Sequence, residues 1–145
     1  MYQIDSVKEM KEFAFWIADK LTNSSKKKKA LILALSGDLG SGKTAFAQYF
    51  LQAFGVKGKI TSPTFVLIKN YKLKTGNYKK AYHIDCYRIK RAGDFIFNLK
   101  DILNSSENIV LIEWPERINK VLPSDAIRLK FKHGKNINQR LVKFV

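Results

Sequence analysis

Residues 31–48 read LILALSGDLGSGKTAFAQ. An apolar run passes straight into a glycine-rich loop, and the loop opens into a segment of good helix formers. Residues 30–35 are apolar without alternation, the pattern of a strand buried on both faces of a parallel sheet. Residues 44–54 predict a helix, and Gly55 stands where a left-handed C-terminal cap falls. Between them, Gly37-Asp38-Leu39-Gly40-Ser41-Gly42-Lys43-Thr44 satisfies G-x-x-x-x-G-K-[ST] at every fixed position. Each residue type has a mechanical reason. Glycines let the backbone curl until successive N–H groups converge on one phosphate, where a side chain would block the approach. The helix behind them, beginning at Thr44 with Ala45 in its first turn, adds free N–H groups and its positive dipole end. Lys43 can then reach the β and γ phosphates, and the Thr44 hydroxyl can ligate Mg²⁺. Positions 37–45 form the candidate nucleotide-binding set.

The rest of the chain supplies an α/β frame for such a loop. Ser6-Val7-Lys8-Glu9 has the S-x-x-E form of a capping box. Met10, Phe13, Ala14, Ile17 and Leu21 follow at helical spacing, so a helix of about four turns is expected, stopped by residues 23–25 and the lysines after them. Residues 65–72 and 79–85 predict a hairpin turning at 75–77. Residues 93–104 read as a helix, and residues 108–113 as an apolar strand ending on a carboxylate. Pro115 and Pro123 bound a short segment whose state the sequence leaves open. Residues 126–132 and 139–144 alternate around 133–136, a second hairpin. Without repeats or a linker, the reading is one P-loop NTPase domain over residues 1–145, a central mostly parallel or mixed sheet flanked by helices, with hairpins.

A phosphate loop needs a second acid at a strand end to hold the metal. Ile109-Val110-Leu111-Ile112-Glu113 offers four apolar residues and then an acid. The other candidate is Asp85, in HIDCYR at 83–88; by itself it reads equally as structural or catalytic. Two carboxylates and a threonine hydroxyl suit a hydrated Mg²⁺, which prefers oxygen ligands.

Composition bounds the class. The chain has 145 residues, 46% of them hydrophobic, enough for one domain with a real core. No apolar run approaches a membrane span. The opening residues carry acids and no long apolar core, unlike a signal peptide. Cys86 is the single cysteine, so neither an intrachain disulfide nor a multi-cysteine metal site can form. These features point to a cytoplasmic setting. The formal charge of +15 favours contact with RNA or another polyanion, although lysine-rich coding bias gives the same total. The densest lysine cluster, 26–29, reads first as a solvated connector.

Four segments, in order, carry a resemblance: GDLGSGKT at 37–44, SPTF at 62–65, HIDCYR at 83–88 and IEWPER at 112–117. Together the chain resembles the TsaE (YjeE) family, small P-loop ATPases of bacterial tRNA threonylcarbamoyladenosine synthesis. The likeness runs over nearly the whole chain. It implies ATP and Mg²⁺ as cofactors, with Thr44, Glu113 and Asp85 around the metal and Asp85 arranging the metal shell or attacking water. It places Thr64 among the catalytic residues, on a switch-like loop stiffened by Pro63 with its hydroxyl near the γ-phosphate or metal; a local backbone hydrogen bond is the alternative role for that hydroxyl. Trp114 and Arg88 stand near the site by the same likeness, as does Ser6, which would border the adenine. Burial or a remote ion pair would equally account for Trp114 and Arg88. His83 reads as support for Asp85 or for the sheet. Residues 90–103 are basic and aromatic where relatives carry a more acidic helix.

The function implied is an ATP-hydrolysing accessory subunit that works with TsaB and TsaD homologues on the adenosine beside the anticodon, without a membrane; the basic surface allows a tRNA contact by the chain itself but does not decide it. Two other classes stay in view. A small-molecule kinase would need an arginine-bearing lid, and the chain's five arginines are scattered. A basic RNA-binding module would make the loop incidental. A GTPase is disfavoured, because Asn119-Lys120-Val121-Leu122 lacks the Asp of N/T-K-x-D.

Overall fold

A computed structural model describes residues 1–22, 28–63, 67–74, 76–89 and 93–145. Thr64, the 23–25 helix stop, the first half of the 26–29 lysine cluster, Thr75 of the first expected turn and positions 90–92 lie outside the described residues. The elements are β1 Tyr2–Ile4, α1 Val7–Thr22, β2 Leu31–Gly37, α2 Lys43–Ala53, β3 Ile68–Lys72, β4 Lys80–Asp85, α3 Gly93–Asn104, β5 Asn108–Glu113, a 3₁₀ segment Pro115–Val121, β6 Ile127–His133 and β7 Arg140–Phe144. Among the described residues seven strands make one sheet, ordered β1-β7-β6-β2-β5-β4-β3. Its centre, β6-β2-β5-β4, is parallel. Antiparallel pairings add β7 and β1 on one side and β3 on the other. The sheet is therefore mixed, and both expected hairpins are present.

Helices cover both faces of the centre, so β2 and β5 read as continuous apolar runs. Strand alternation sorts them into two cores. Leu31, Leu33, Leu35, Ile109 and Leu111 pack with α1 and α2 around Phe46 and Phe50. Ile32, Ala34, Val110 and Ile112 face Leu99 and Leu103 of α3 and Ile118 of the 3₁₀ segment. Among the described residues no helix is long and apolar enough to cross a membrane.

Two local features differ from expectation. The capping box at α1 is offset: Glu9 N–H donates to Ser6 Oγ at 3.1 Å, but Glu9 Oε2 accepts from the amide of Asp5, at 2.8 Å, instead of that of Ser6. The three residues of β1 are too short to carry a periodic signal, and their strand state comes from pairing with β7, Tyr2 against Val142. That pairing fixes the entry to α1 beside the glycine loop.

Candidate functional site

The loop begins where β2 ends. Gly37 adopts φ +134°, and a Cβ there would lie 2.2 Å from the Phe131 carbonyl oxygen of β6, so only glycine fits. Gly42, at φ +101°, caps α2. Lys43, its first residue, is buried. Its ammonium donates to the carbonyls of Gly37 at 2.7 Å and Asp38 at 2.8 Å, and it lies 4.2 Å from the centre of the Trp114 ring, within cation–π range. Burial holds the Lys43 pKa below that of an ordinary lysine, while Glu113, Glu116, Asp38 and Asp85 pull it back up. Ser41 is fully buried, its Oγ without a hydrogen-bond partner.

Parallel strands bring their C-terminal ends to one edge, where ligands of open α/β sheets bind. Asp85 and Glu113 are register partners at the ends of β4 and β5, and Glu113 pairs with Leu35 of β2, two residues before the loop. Thr44 Oγ1 donates to Glu113 Oε2 at 2.9 Å. The other carboxylate oxygen, Oε1, lies 2.8 Å from His83 Nε2. Both residues are buried, and His83 Nδ1 has no partner. Placing the ring proton on Nε2 gives that bond its hydrogen and leaves an acceptor, rather than a donor, unpaired. His83 thus supports Glu113, where the sequence offered Asp85 or the sheet as what it supports. Asp85 Oδ1 accepts the Tyr87 amide at 2.9 Å, which fixes the carboxylate within the buried strand end.

These residues share one cleft of about 720 Å³. Leu39, Gly40, Gly42, Lys43, Thr44 and Ala45 form its floor. Asp85, Glu113, Trp114, Tyr87 and Arg88 stand on one side, and Ser6, Met10 and Arg140 on the other. Gly37 and Asp38 contribute the carbonyls that hold Lys43. Trp114 takes a left-handed backbone, φ 57° and ψ 52°, and its ring lies 4.9 Å from that of Tyr87. Arg140 and Tyr49 went unread in the sequence, and Met10 was read only as part of the apolar face of α1. No motif surrounds Arg140, and only the hairpin register that sets it opposite His133, itself 3.0 Å from the Leu39 carbonyl, carries it to the loop.

The donor set fits Mg²⁺: a hydroxyl and two carboxylates, all oxygen. Among the described residues no group of three or more His, Cys, Asp or Glu side chains is arranged to cage a metal.

Comparison with known proteins identifies a family and a fold. The family model described as "Threonylcarbamoyl adenosine biosynthesis protein TsaE" matches residues 4–142. A Rickettsia typhi protein named tRNA threonylcarbamoyladenosine biosynthesis protein TsaE is 38% identical over 143 residues, covering 97% of this chain and 91% of its own. A Bacillus subtilis protein of the same name is 32% identical over 103 residues, covering 71% and 62%. The crystal structure of Bacillus subtilis YdiB superposes with a TM-score of 0.70 at 25% identity, covering 99% of this chain and 82% of that one.

Proposed function

Because the chain belongs to the TsaE family of tRNA threonylcarbamoyladenosine biosynthesis, we propose that it is a Mg²⁺-dependent ATPase serving that modification as an accessory subunit. In this reading it binds homologues of TsaB and TsaD in the cytoplasm, and ATP hydrolysis resets their complex after the adenosine beside the anticodon is modified. The observation that carries the reading is the Thr44–Glu113 hydrogen bond at 2.9 Å. It ties the first turn of the loop helix to the acid of the neighbouring strand, joining two of the oxygen ligands that a phosphate-bound Mg²⁺ would use.

The chain's own residues divide the work. Loop amides and Lys43 bind the triphosphate, and anionic oxygens take over the ammonium now held by the Gly37 and Asp38 carbonyls. Thr44 and Glu113 would hold the Mg²⁺, which when bound neutralises charge developing on the phosphates. His83 keeps the Glu113 carboxylate aimed at Thr44. Asp85, held by the Tyr87 amide, orients the attacking water. Arg140 Nη1 donates to the carbonyls of Ile137 and Gln139, which ties it to the hairpin beside the cleft. In this reading hydrolysis by the isolated chain is slow, and partners complete the site.

The test is a Mg²⁺-dependent ATPase assay with and without the TsaB and TsaD homologues. Expected are weak basal turnover, stimulation by the pair, and a fall of roughly 10²-fold or more in Glu113→Ala and Asp85→Ala. ATP binding should be lost in Lys43→Ala. An isolated chain as fast as its complex would refute the resetting role.

A further inference from the structure

Residues 126–144 carry Arg128, Lys130, Lys132, Lys135, Arg140 and Lys143, and no acid. Lysine-rich coding bias does not account for this segregation. On α1 the same bias leaves Lys8, Lys11 and Lys20 interspersed with Glu9, Glu12 and Asp19, and Lys8 lies 3.8 Å from Glu12.

Topology gathers three of the strand cations on one surface. Leu129, Phe131 and Val142 are buried in the core beneath α1 and α2. Alternation therefore turns Lys130, Lys132 and Lys143 to the opposite face of the sheet, where all three are exposed. On that face α3 and the 3₁₀ segment cover the centre, and Arg128 Nη1, donating to Asn119 Oδ1 at 3.1 Å, marks where the covering stops. Lys130 and Lys143 are direct cross-strand partners, and Lys132 lies diagonal to Lys143. Like charges in these positions repel. Among the described residues none of the three makes a salt bridge.

We propose that this outer face of β6 and β7 docks the phosphate backbone of an RNA. A partner of opposite charge turns the repulsion into attraction, through phosphate neutralisation and counterion release. An RNA fits better than an acidic protein. Protein interfaces are depleted in lysine and centred on aromatic or apolar anchors, whereas the apolar side chain between these lysines, Leu141, is half-buried and Val145 lies at the strand's far end. Backbone contacts position a nucleic acid without reading bases, which suits a subunit that leaves the chemistry to its partners. The proposal does not depend on ATP hydrolysis.

Fluorescence anisotropy of a labelled, unmodified tRNA transcript, titrated with the full chain over a range of KCl, provides the test. Lys130→Gln/Lys132→Gln/Lys143→Gln should flatten the dependence of log affinity on log salt by about 2 to 3, and weaken binding roughly tenfold or more at moderate salt. A control losing equal charge from α1, Lys8→Gln/Lys11→Gln/Lys20→Gln, should keep the wild-type slope. Removing the repelling lysines should leave the fold intact, which a thermal melt checks. Binding of a fluorescent ATP analogue should persist in the sheet variant, so this face and the nucleotide cleft stand or fall separately. Equal losses in both triple variants, absence of tRNA binding by the wild type, or tighter binding of polyglutamate than of tRNA at the same salt would each overturn the proposal.

Discussion

Cys86 sits between Asp85 and Tyr87, one bond from the acid wall of the cleft, and its amide donates to the Glu113 carbonyl at 3.0 Å. Its position invites a chemical role that its surroundings deny. Burial, followed by the negative charges of Asp85, Glu116 and Glu113, pushes the thiol from 9.0 up to about 12. The fold thus favours the protonated form. The stability this gives is fully present below the unfolded value near 9 and is lost as pH rises towards 12. The thiolate is the reactive species, so Ellman's reagent at pH 8 should leave the folded protein unmodified and react once urea unfolds it. Prompt reaction of the native chain would contradict the burial described here. At this scale the sequence was legible where chemistry lies along the chain, as in 37–44, and less so across strands. His83 is two residues from Asp85 in sequence, yet the parallel register of β4 and β5 turns its ring to Glu113.

The elements were more legible than their joints. β2 and β5 announced themselves because both faces are covered, so every position had to be apolar. α1 did so through its apolar stripe, and α2 through the loop before it and Gly55 after it, at φ 83°. What stayed hidden depended on pairing: β1, made a strand by β7, and the 3₁₀ state of Pro115–Val121, which follows the left-handed turn at Trp114. Gly37 shows how strictly one joint is held. Gly37→Ala would force a Cβ against the Phe131 carbonyl in a backbone region alanine avoids, which costs about 1–3 kcal/mol for the conformation alone. Parting β2 from β6 at that point would also displace Asp38 and Lys43. A urea unfolding curve should show the lower stability, and nucleotide affinity should fall with it. Unchanged values for both would mean the loop tolerates a shift the packing forbids.

Across the whole molecule, the charge of +15 is unevenly distributed, and the fold tolerates repulsion on its outer sheet face. Lys143→Glu would place opposite charges across from each other with Lys130, and should stabilise the chain by roughly 0.2–1 kcal/mol. The gain should shrink as salt screens the pair, a trend that denaturation midpoints at low and high salt would reveal. A midpoint that drops at low salt would argue that the two ammonium groups do not meet. The strand order has a different implication, for the order of synthesis. The wall of the cleft at Ile4, Asp5 and Ser6 is anchored by β1, and β1 has its pairing partner in β7, about 100 residues after the glycine loop. At ~5–20 residues per second on the ribosome, β7 is made roughly 5–20 s after the loop. A nascent chain therefore carries its phosphate-gripping segment well before it can close the cleft around a nucleotide.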